Sequence, residues 1–247
     1  MTAETHTAAR NGTEGAIADG SSAERDPAQS GRTANFNRLA GLYRWMEYAS
    51  FGPWLWWCRC AFLDELGECR RAVVLGDGDG RFTARLLTAN PQIAIEAVDV
   101  SDAMLRSLLR RAGAHSGRVR AVCADARAWQ PRTASYAEPC DLIVTHFFLD
   151  CLTTSEVEAL AAKMREVIQP EARWVVSEFA EPEGLFGRAL ARPVVWLLYQ
   201  AFGLLTGLAV RTLPDYDAAL RAAGFAPVKR QRRLGGLLVS ELWTRSE

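Results

Sequence analysis

The sequence has no excess of either charge: 29 basic and 29 acidic residues give a formal net charge of zero. Nucleic-acid binders usually show a basic surplus, because neutralising phosphates supplies most of their affinity. No nucleic-acid partner is therefore expected. The six cysteines lack any C-x-x-C pairing, which favours buried free thiols in a reducing cytosol. The N-terminus lacks an apolar core long enough for a signal peptide, and these absences predict a cytoplasmic protein.

Signatures of several enzyme classes are missing too. The sequence contains no H-E-x-x-H pattern, Walker loop, nucleophile elbow or Cys/His metal spacing. It therefore gives no support to a metalloprotease, a kinase or a serine hydrolase, and no metal site is expected.

The first 34 residues contain almost no large apolar side chain. Such a segment cannot bury enough surface to offset the entropy of ordering it, so residues 1–34 are expected to be a disordered tail. Residues 35–247 are expected to form a single domain.

Aromatic residues crowd into residues 35–67, ahead of the first predicted strand. Gly52-Pro53 divides this stretch into two predicted helices, since proline begins helices well and disfavours a helical residue before it. One interpretation is that both helices simply pack on the sheet. The other is a lid over a ligand cleft, in which Tyr43 and Trp45 form an aromatic wall.

Three alternating glycines, Gly76, Gly78 and Gly80, follow a short apolar run from Ala72 to Leu75. A helical pattern opens directly after them, at Arg81. This succession of strand, glycine turn and helix brings free backbone N–H groups close to a nucleotide-like ligand.

A second apolar strand, Ile93 to Val98, leads into Asp99, which stands 19 positions beyond Gly80. An acidic residue at this strand end can accept hydrogen bonds from two ribose hydroxyls. A dinucleotide fingerprint would need its third glycine at position 81 or 83, where Arg81 and Thr83 stand. A nicotinamide-dependent oxidoreductase is therefore disfavoured, although it remains an alternative.

The glycine loop G-D-G-D-G resembles that of the class I S-adenosylmethionine-dependent methyltransferases of the small-molecule type, as do V-D-V-S-D-A-M-L, A-D-A and T-H-F-F further along the chain. The resemblance implies methyl transfer with S-adenosylmethionine as cofactor. It places Asp125 at the adenine amino group. The residues it assigns to cofactor binding are Gly76, Asp77, Gly78, Asp79, Gly80, Asp99, Val100, Met104, Asp125, Ala126 and Thr145.

One position departs from the family pattern. The family usually carries Asp or Glu two residues before the first loop glycine, where it helps to hold the methionine end of the cofactor, and Val74 stands there. Asp77 or Asp79 could serve the ammonium group instead, although both also suit a plain turn. Val74 keeps open a non-catalytic protein of this fold that acts through partners.

Strands alternate with helices five times, which predicts a parallel sheet covered on both faces. Expected helices include Asp102 to Ala112 and Ser155 to Ile168, the second with a Ser155/Glu158 capping box and an end at Pro170. The resemblance adds a sixth strand and an antiparallel seventh. The predicted fold is α/β and doubly wound (Rossmann-like): a seven-stranded, mostly parallel sheet with an antiparallel last strand, N-terminal helices and a helical insertion, residues 182–214, before strand six.

The insertion contains an uncharged run of 17 residues, Val194 to Val210. A membrane span needs ~20 predominantly apolar residues, so a buried or cleft-covering helix is favoured. The alternative is a surface that docks on a membrane or on an apolar acceptor.

Methyl transfer requires mainly positioning, and a general base only where the acceptor holds a proton of high pKa. His146 is the candidate base, with Asp150 four residues on to orient it if the segment turns helically. Alternatively, the His146 backbone merely lines the cofactor. The expected acceptor is a hydrophobic small molecule, contacted by Tyr43, Trp45, Asp150 and Leu198.

Overall fold

Seven strands form one sheet in the computed structural model, which describes residues 53–131, 139–180 and 213–245. The strands are β1 (Arg71–Leu75), β2 (Ala94–Asp99), β3 (Val119–Cys123), β4 (Cys140–His146), β5 (Ile168–Phe179), β6 (Phe225–Arg233) and β7 (Leu238–Arg245). Their order across the sheet is β3-β2-β1-β4-β5-β7-β6. Only β7 runs against the others among these strands, which confirms the predicted sheet.

The described helices are α1 (Pro53–Arg59), α2 (Arg81–Ala89), α3 (Asp102–Ala112), α4 (Thr154–Val167) and α5 (Tyr216–Ala222). Short 3-10 turns occupy Leu63–Leu66, Gly113–Arg118, Leu149–Cys151 and Leu234–Gly236. Helix α3 has the predicted bounds, because the Ser101 side chain accepts a hydrogen bond from the Met104 amide and caps the helix.

Each face of the sheet carries its own core, because successive strand residues point to opposite sides. Val73 and Leu75 pack with residues of α4 and α5 on one face. Ala72 and Val74 pack with α2, α3 and the Leu63–Leu66 turn on the other. The sheet is thus doubly wound, as predicted.

Helix α1 begins at Pro53, as the sequence predicts, and is anchored to the sheet at its other end. The carbonyl oxygen of Cys58 accepts hydrogen bonds from Ser177 Oγ (3.1 Å) and Ser240 Oγ (3.0 Å). Because Ser177 lies near the carboxyl end of β5, this anchor brings Arg59 to the same edge of the sheet.

The capping box of α4 differs from the predicted one. Thr153 Oγ1 accepts a hydrogen bond from the Glu156 amide, and the Glu156 carboxylate accepts one from the Thr153 amide at 2.8 Å. The prediction of Ser155 and Glu158 is wrong because the helix starts at Thr154, so Ser155 already lies inside it.

Pro170 does not end this helix either. Helix α4 ends at Val167, and Pro170 lies in β5, between the residues that pair with β4 at Ile168 and at Arg173. The register shifts there, and such an irregularity tolerates a residue without an N–H group.

All six cysteines are free thiols, as predicted, but their burial varies. Cys58, Cys69 and Cys140 are buried, whereas Cys123 is exposed. The expectation of burial is wrong for Cys123 because β3 is an edge strand of the sheet.

Several predictions lie outside the described residues: the tail, residues 1–34, the lid helix before Pro53, and the insertion up to residue 212. Within the described ranges, no helix combines the length and apolar character needed to cross a membrane.

Replacing Gly80 by alanine should destabilise the protein more than the same change at Gly78. Both glycines have positive φ, which costs an L-residue ~1–2 kcal/mol. A Cβ at Gly80 would also lie 2.6 Å from the Leu108 Cα of α3, whereas one at Gly78 meets no described atom within 4 Å. We expect Gly80→Ala to lower the free energy of unfolding by a further ~1–3 kcal/mol in urea denaturation. Equal losses for the two variants would contradict the packing.

Candidate functional site

The order of the strands creates a crevice between β1 and β4. From β1 the chain proceeds to β2 and β3 on one side of the sheet, and then to β4 and β5 on the other. Ligands of open parallel sheets bind at such a reversal, beyond the carboxyl ends of the strands. The glycine loop follows β1 and Phe147–Cys151 follows β4, so both segments border this crevice.

All three loop glycines have positive φ: 66° at Gly76, 59° at Gly78 and 78° at Gly80. A Cβ at Gly76 would overlap the ring of Phe148, whereas the space beside Gly78 is open within the described residues. The Gly76 amide donates to the Val98 carbonyl at 3.0 Å. The loop is thus held close to β2 and β4 and leaves room for a ligand at Gly78.

The two loop aspartates differ in their contacts. Asp77 Oδ2 accepts a hydrogen bond from the Thr83 amide (2.8 Å) at the start of α2. Its Oδ1 is buried and accepts none from the described residues, and burial raises the pKa of Asp77. Asp79 instead forms ion pairs with Arg81 (3.3 Å) and Arg111 (2.8 Å). Asp77 is therefore the loop carboxylate that offers an oxygen to a ligand.

Asp99 is the last residue of β2, where the sequence places it, and its side chain faces the glycine loop. Its Oδ1 accepts a hydrogen bond from the Ser101 amide (2.8 Å), and its carboxylate also interacts with the Gly78 amide. Burial, reinforced by the charge of Asp77, nevertheless raises the pKa of Asp99 to about 6. A carboxylate in this condition is stabilised by further donors, such as ribose hydroxyls.

Asp125 follows a segment that is hydrogen-bonded to Asp99, but its carboxylate is already paired with Arg127. The Ala124 amide donates to the Asp99 carbonyl at 3.0 Å, which places the A-D-A segment at the end of β2. The Arg127 guanidinium donates to Oδ1 (2.9 Å) and Oδ2 (2.6 Å) of Asp125 and holds its pKa below the usual range. An adenine contact through this carboxylate would have to be shared with Arg127.

The other residues near β2 and β3 that were predicted to bind the cofactor lie at the same edge of the sheet. Val100 is exposed, and its carbonyl accepts a hydrogen bond from Cys123 Sγ at 3.7 Å. Met104 is partly buried on the first turn of α3. Ala126 is buried, and its carbonyl accepts a hydrogen bond from Lys163 Nζ at 3.3 Å.

Thr145 does not present its side chain to the crevice. It is fully buried, and its Oγ1 accepts a hydrogen bond from the indole N–H of Trp174 at 2.9 Å. The hydroxyl satisfies a buried indole in the core, so it is not the group that Thr145 would offer to a cofactor.

His146 is buried on the other face of β4, where its ring meets that of Phe82 edge-on at 4.5 Å between centroids. Neither ring nitrogen has a hydrogen-bond partner among the described residues, so Asp150 does not orient it, although the Leu149–Cys151 segment does turn helically. Burial, with a smaller contribution from Arg59, holds the pKa of His146 well below its usual value. These contacts do not favour His146 as a general base.

Two residues with contacts at this edge escaped the sequence analysis. Arg59 lies over the Phe147 ring, 5.3 Å from its centroid, and its charge acts on both Asp77 and His146. Glu178 accepts hydrogen bonds from the amides of the turn after β4. The signal for Glu178 was its place at the end of an apolar strand, the same signal that identified Asp99.

The predicted acceptor contacts Tyr43, Trp45 and Leu198 lie outside the described residues. A cavity of about 510 Å³ does occur in the described part, but its lining includes Ala94, Arg118 and Val119, at the amino ends of β2 and β3. That is the opposite edge of the sheet from the glycine loop.

Residues 72–171 match the family model described as "Methyltransferase domain". No curated protein sequence matches the chain. This family match covers the glycine loop, Asp99, Asp125 and the turn after β4.

Solved structures of methyltransferases share the fold. An O-methyltransferase family protein from Burkholderia thailandensis has a TM-score of 0.65 at 15% identity, over 89% of this chain and 63% of its own. The 1,6-didemethyltoxoflavin N1-methyltransferase of the same organism, solved with 1,6-didemethyltoxoflavin and S-adenosylhomocysteine, has a TM-score of 0.58 at 18% identity, over 95% and 94%. Human N-acetylserotonin methyltransferase has a TM-score of 0.58 at 17% identity, over 90% of this chain and 61% of its own.

The chain spans about three-fifths of the length of the first of these structures. At such identities the likeness establishes the fold. The match to a methyltransferase domain therefore spans residues 72–171, and the fold around it is shared with solved methyltransferases. The carboxylates and the glycine loop at the crevice fit S-adenosylmethionine as a cofactor.

The buried state of His146 predicts a loss of stability in acid. Its folded pKa lies below the unfolded value of ~6.5, so between the two values the unfolded chain binds more protons. Stability therefore falls as the pH drops below ~6.5, by up to ~1.4 kcal/mol per pH unit. We expect His146→Phe to lose less stability than wild type between pH 7 and pH 5 in urea denaturation.

The matched control is His115→Phe, at an exposed position of the Gly113–Arg118 turn. It should keep the pH dependence of the wild type. If His146→Phe and wild type gave parallel curves, His146 would not be held neutral by the fold.

Proposed function

We propose that the protein transfers the methyl group of S-adenosylmethionine to a hydrophobic small-molecule acceptor. The observation that carries this proposal is that the glycine loop, which contains Asp77, lies next to the Asp99 carboxylate at the strand reversal. When bound, the cofactor supplies a methyl group on a positively charged sulfur. The chain must then hold the acceptor in line with that methyl group and exclude water.

The contacts support separate roles for the three cofactor-side carboxylates. Asp99 suits the ribose hydroxyls, because it lies at the end of β2 beside the open space at Gly78. Asp77 suits the ammonium group, because its Oδ1 is buried without a donor among the described residues. Asp125, with Ala126, remains the candidate for adenine, in company with Arg127.

A hydrophobic acceptor is supported by the aromatic residues near this edge. On α1, Trp54 and Trp57 meet edge-on with 4.9 Å between ring centroids, and Trp57 is exposed. The sequence contains further apolar and aromatic side chains in the stretch before α1 and in the run at 194–210. Two of the structural neighbours carry small acceptors in their names, didemethyltoxoflavin and N-acetylserotonin.

Asp99→Asn should weaken S-adenosylmethionine binding about tenfold or more, since a hydrogen bond to a charged group contributes ~1.5–3 kcal/mol. The amide keeps the volume and an oxygen for the Ser101 amide, so the fold should persist. In wild type the affinity should also fall below about pH 6, where Asp99 takes up a proton, and this dependence should vanish in the variant. Isothermal titration calorimetry measures both effects.

The control for Asp99 is Asp102→Asn, an exposed carboxylate paired with Arg106 at the start of α3. It should bind the cofactor like wild type. An unchanged dissociation constant in Asp99→Asn would place the ribose elsewhere, and tight binding of NADH would favour an oxidoreductase.

Asp77→Asn should weaken binding of S-adenosylhomocysteine but leave binding of 5′-methylthioadenosine unchanged, because the second ligand lacks the amino-acid end. Asp79→Asn is the matched control, since Asp79 is already paired with Arg81 and Arg111. Calorimetry with both ligands on both variants tests the assignment. If Asp79→Asn proved the weaker binder, the roles of the loop aspartates would be reversed.

Turnover separates an enzyme from a silent binder. Labelled S-adenosylmethionine and cell extract, split afterwards into lipid, small-molecule and macromolecular fractions, should place the label in an apolar small-molecule fraction. Tight cofactor binding without any incorporation would support the non-catalytic alternative that Val74 keeps open.

A further inference from the structure

Two acidic residues lie at the edge of the sheet that borders the crevice, and the charge of Asp150 acts on Glu178. Glu178 lies near the carboxyl end of β5, and Asp150 lies in the Leu149–Cys151 turn after β4. Since β4 and β5 are neighbouring parallel strands, both side chains reach the same edge of the sheet. The turn starts at Phe148, whose ring covers Gly76, so it adjoins the glycine loop directly.

Glu178 holds this turn in place. Its side chain is 1% exposed, and its Oε1 accepts hydrogen bonds from the amides of Phe148 (3.1 Å) and Leu149 (2.8 Å). Its Oε2 is buried and accepts no hydrogen bond within the described ranges. One oxygen of Glu178 thus fixes the backbone that carries Asp150, while the other is in a position to carry a proton.

Asp150 is partly exposed, and its Oδ1 accepts a hydrogen bond from Cys151 Sγ at 3.5 Å. Burial raises the pKa of Asp150 to about 6. Burial and then the charge of Asp150 raise the pKa of Glu178 well above its usual value. Two such carboxyls titrate as a pair, because the charge on one disfavours ionisation of the other.

Other titratable groups lie around Asp150 and Glu178. Cys151 lies next in the chain, and Asp99 acts on Cys151 from the end of β2. Tyr216 of α5 faces Glu178, and beyond it Glu241 pairs with Arg230. The Cys151 thiol and the Tyr216 phenol are neutral at pH 7, because burial raises the pKa of each.

We propose that Asp150 is the general base of the transfer, that Glu178 is the positioning residue that holds the turn carrying Asp150, and that the acceptor presents a hydroxyl group. This inference rests on the proposed methyl transfer. Asp150 borders the crevice and is partly exposed, whereas His146 is buried against the Phe82 ring.

The step balances on these groups. The acceptor O–H bond breaks as its proton passes to a carboxylate oxygen of Asp150. The electron pair released on the acceptor oxygen forms the new bond to the methyl carbon, while the sulfur–methyl bond breaks with its electrons going to sulfur. Asp150 returns the proton to water through its exposed side.

The acceptor class follows from this need for a base. A phenolic or enolic hydroxyl is a poor nucleophile until it loses its proton, so a carboxylate beside it accelerates transfer. A neutral amine attacks through its lone pair and needs no base before the methyl group has moved. A base at this place therefore favours a hydroxyl acceptor.

The first test needs neither cofactor nor acceptor. Carbon-13 labelling of the Asp and Glu carboxyl groups allows each pKa to be followed by nuclear magnetic resonance in the full chain. We expect Asp150 to titrate near pH 6 and Glu178 well above its usual range in wild type. Asp150→Asn should lower the pKa of Glu178, because one charge that raises it is gone. Ordinary pKa values for both groups, or no response of Glu178, would overturn the pair.

The second test uses labelled S-adenosylmethionine and cell extract, with incorporation into small molecules as the readout. S-adenosylmethionine is kept saturating at every pH, so that the protonation of Asp99 does not limit cofactor binding. Under these conditions Asp150→Asn should lose about 100-fold or more of the rate, and the fall in rate below about pH 6 should disappear. Glu178→Ala removes the acceptor of the Phe148 and Leu149 amides and should lower the rate, whereas Glu178→Gln keeps that acceptor and should recover most of the rate together with the acidic limb. The matched control is Glu158→Gln, at an exposed position of α4.

Failures of the two proposals look different. If Asp150→Asn kept the wild-type rate and pH profile, Asp150 would not be the base, while methyl transfer itself would stand. Label found on amine nitrogen would overturn the acceptor class. If wild type bound the cofactor but transferred no label, the proposed function would fall and the base role with it.

Discussion

The site depends on the absence of a side chain at Gly76. Any Cβ there would overlap the Phe148 ring, so glycine is what allows the turn after β4 to close against the loop after β1. Glu178 holds the amides of that turn from β5, and the Gly76 amide bonds to the end of β2. The loop after β1 thus contacts the turn after β4, and the ends of β2 and β5 each hold one of these two segments by hydrogen bonds.

The crevice is acidic although the chain is neutral overall. Asp77, Asp99, Asp150 and Glu178 all have raised pKa values, with burial as the largest cause in each case. Carboxylates held in this way are stabilised by a cation, and the proposed cofactor brings both a sulfonium and an ammonium charge. Methyl transfer neutralises the sulfur, so the same field that draws in the cofactor holds the product less strongly. Net charge gave no hint of this, because it averages over the whole surface.

Local sequence signals predicted the fold because the fold repeats local rules. Both ends of helix α3 were predicted correctly, because Ser101 caps the helix and its apolar residues recur at helical spacing. The cap of α4 was misplaced because Thr153/Glu156 and Ser155/Glu158 satisfy the same spacing, and only the approach of the chain decides between them. The engagement of Thr145 by Trp174 and of two backbone amides by Glu178 joins residues about thirty positions apart. No local pattern encodes such pairs.

Val74 and Asp77 lie in surroundings that differ in how well they can hold a carboxylate. At position 74 the side chain is 1% exposed and packs among apolar residues of the α2 and α3 face, where an acid would need a partner of its own. At position 77 the backbone of α2 supplies one: the Thr83 amide binds Oδ2 and leaves Oδ1 free of described donors. A helix N-terminus stabilises negative charge, so the loop holds a buried carboxylate at lower cost than the apolar strand would. The side chain that binds the Thr83 amide of α2 is therefore the one proposed to receive an ammonium group.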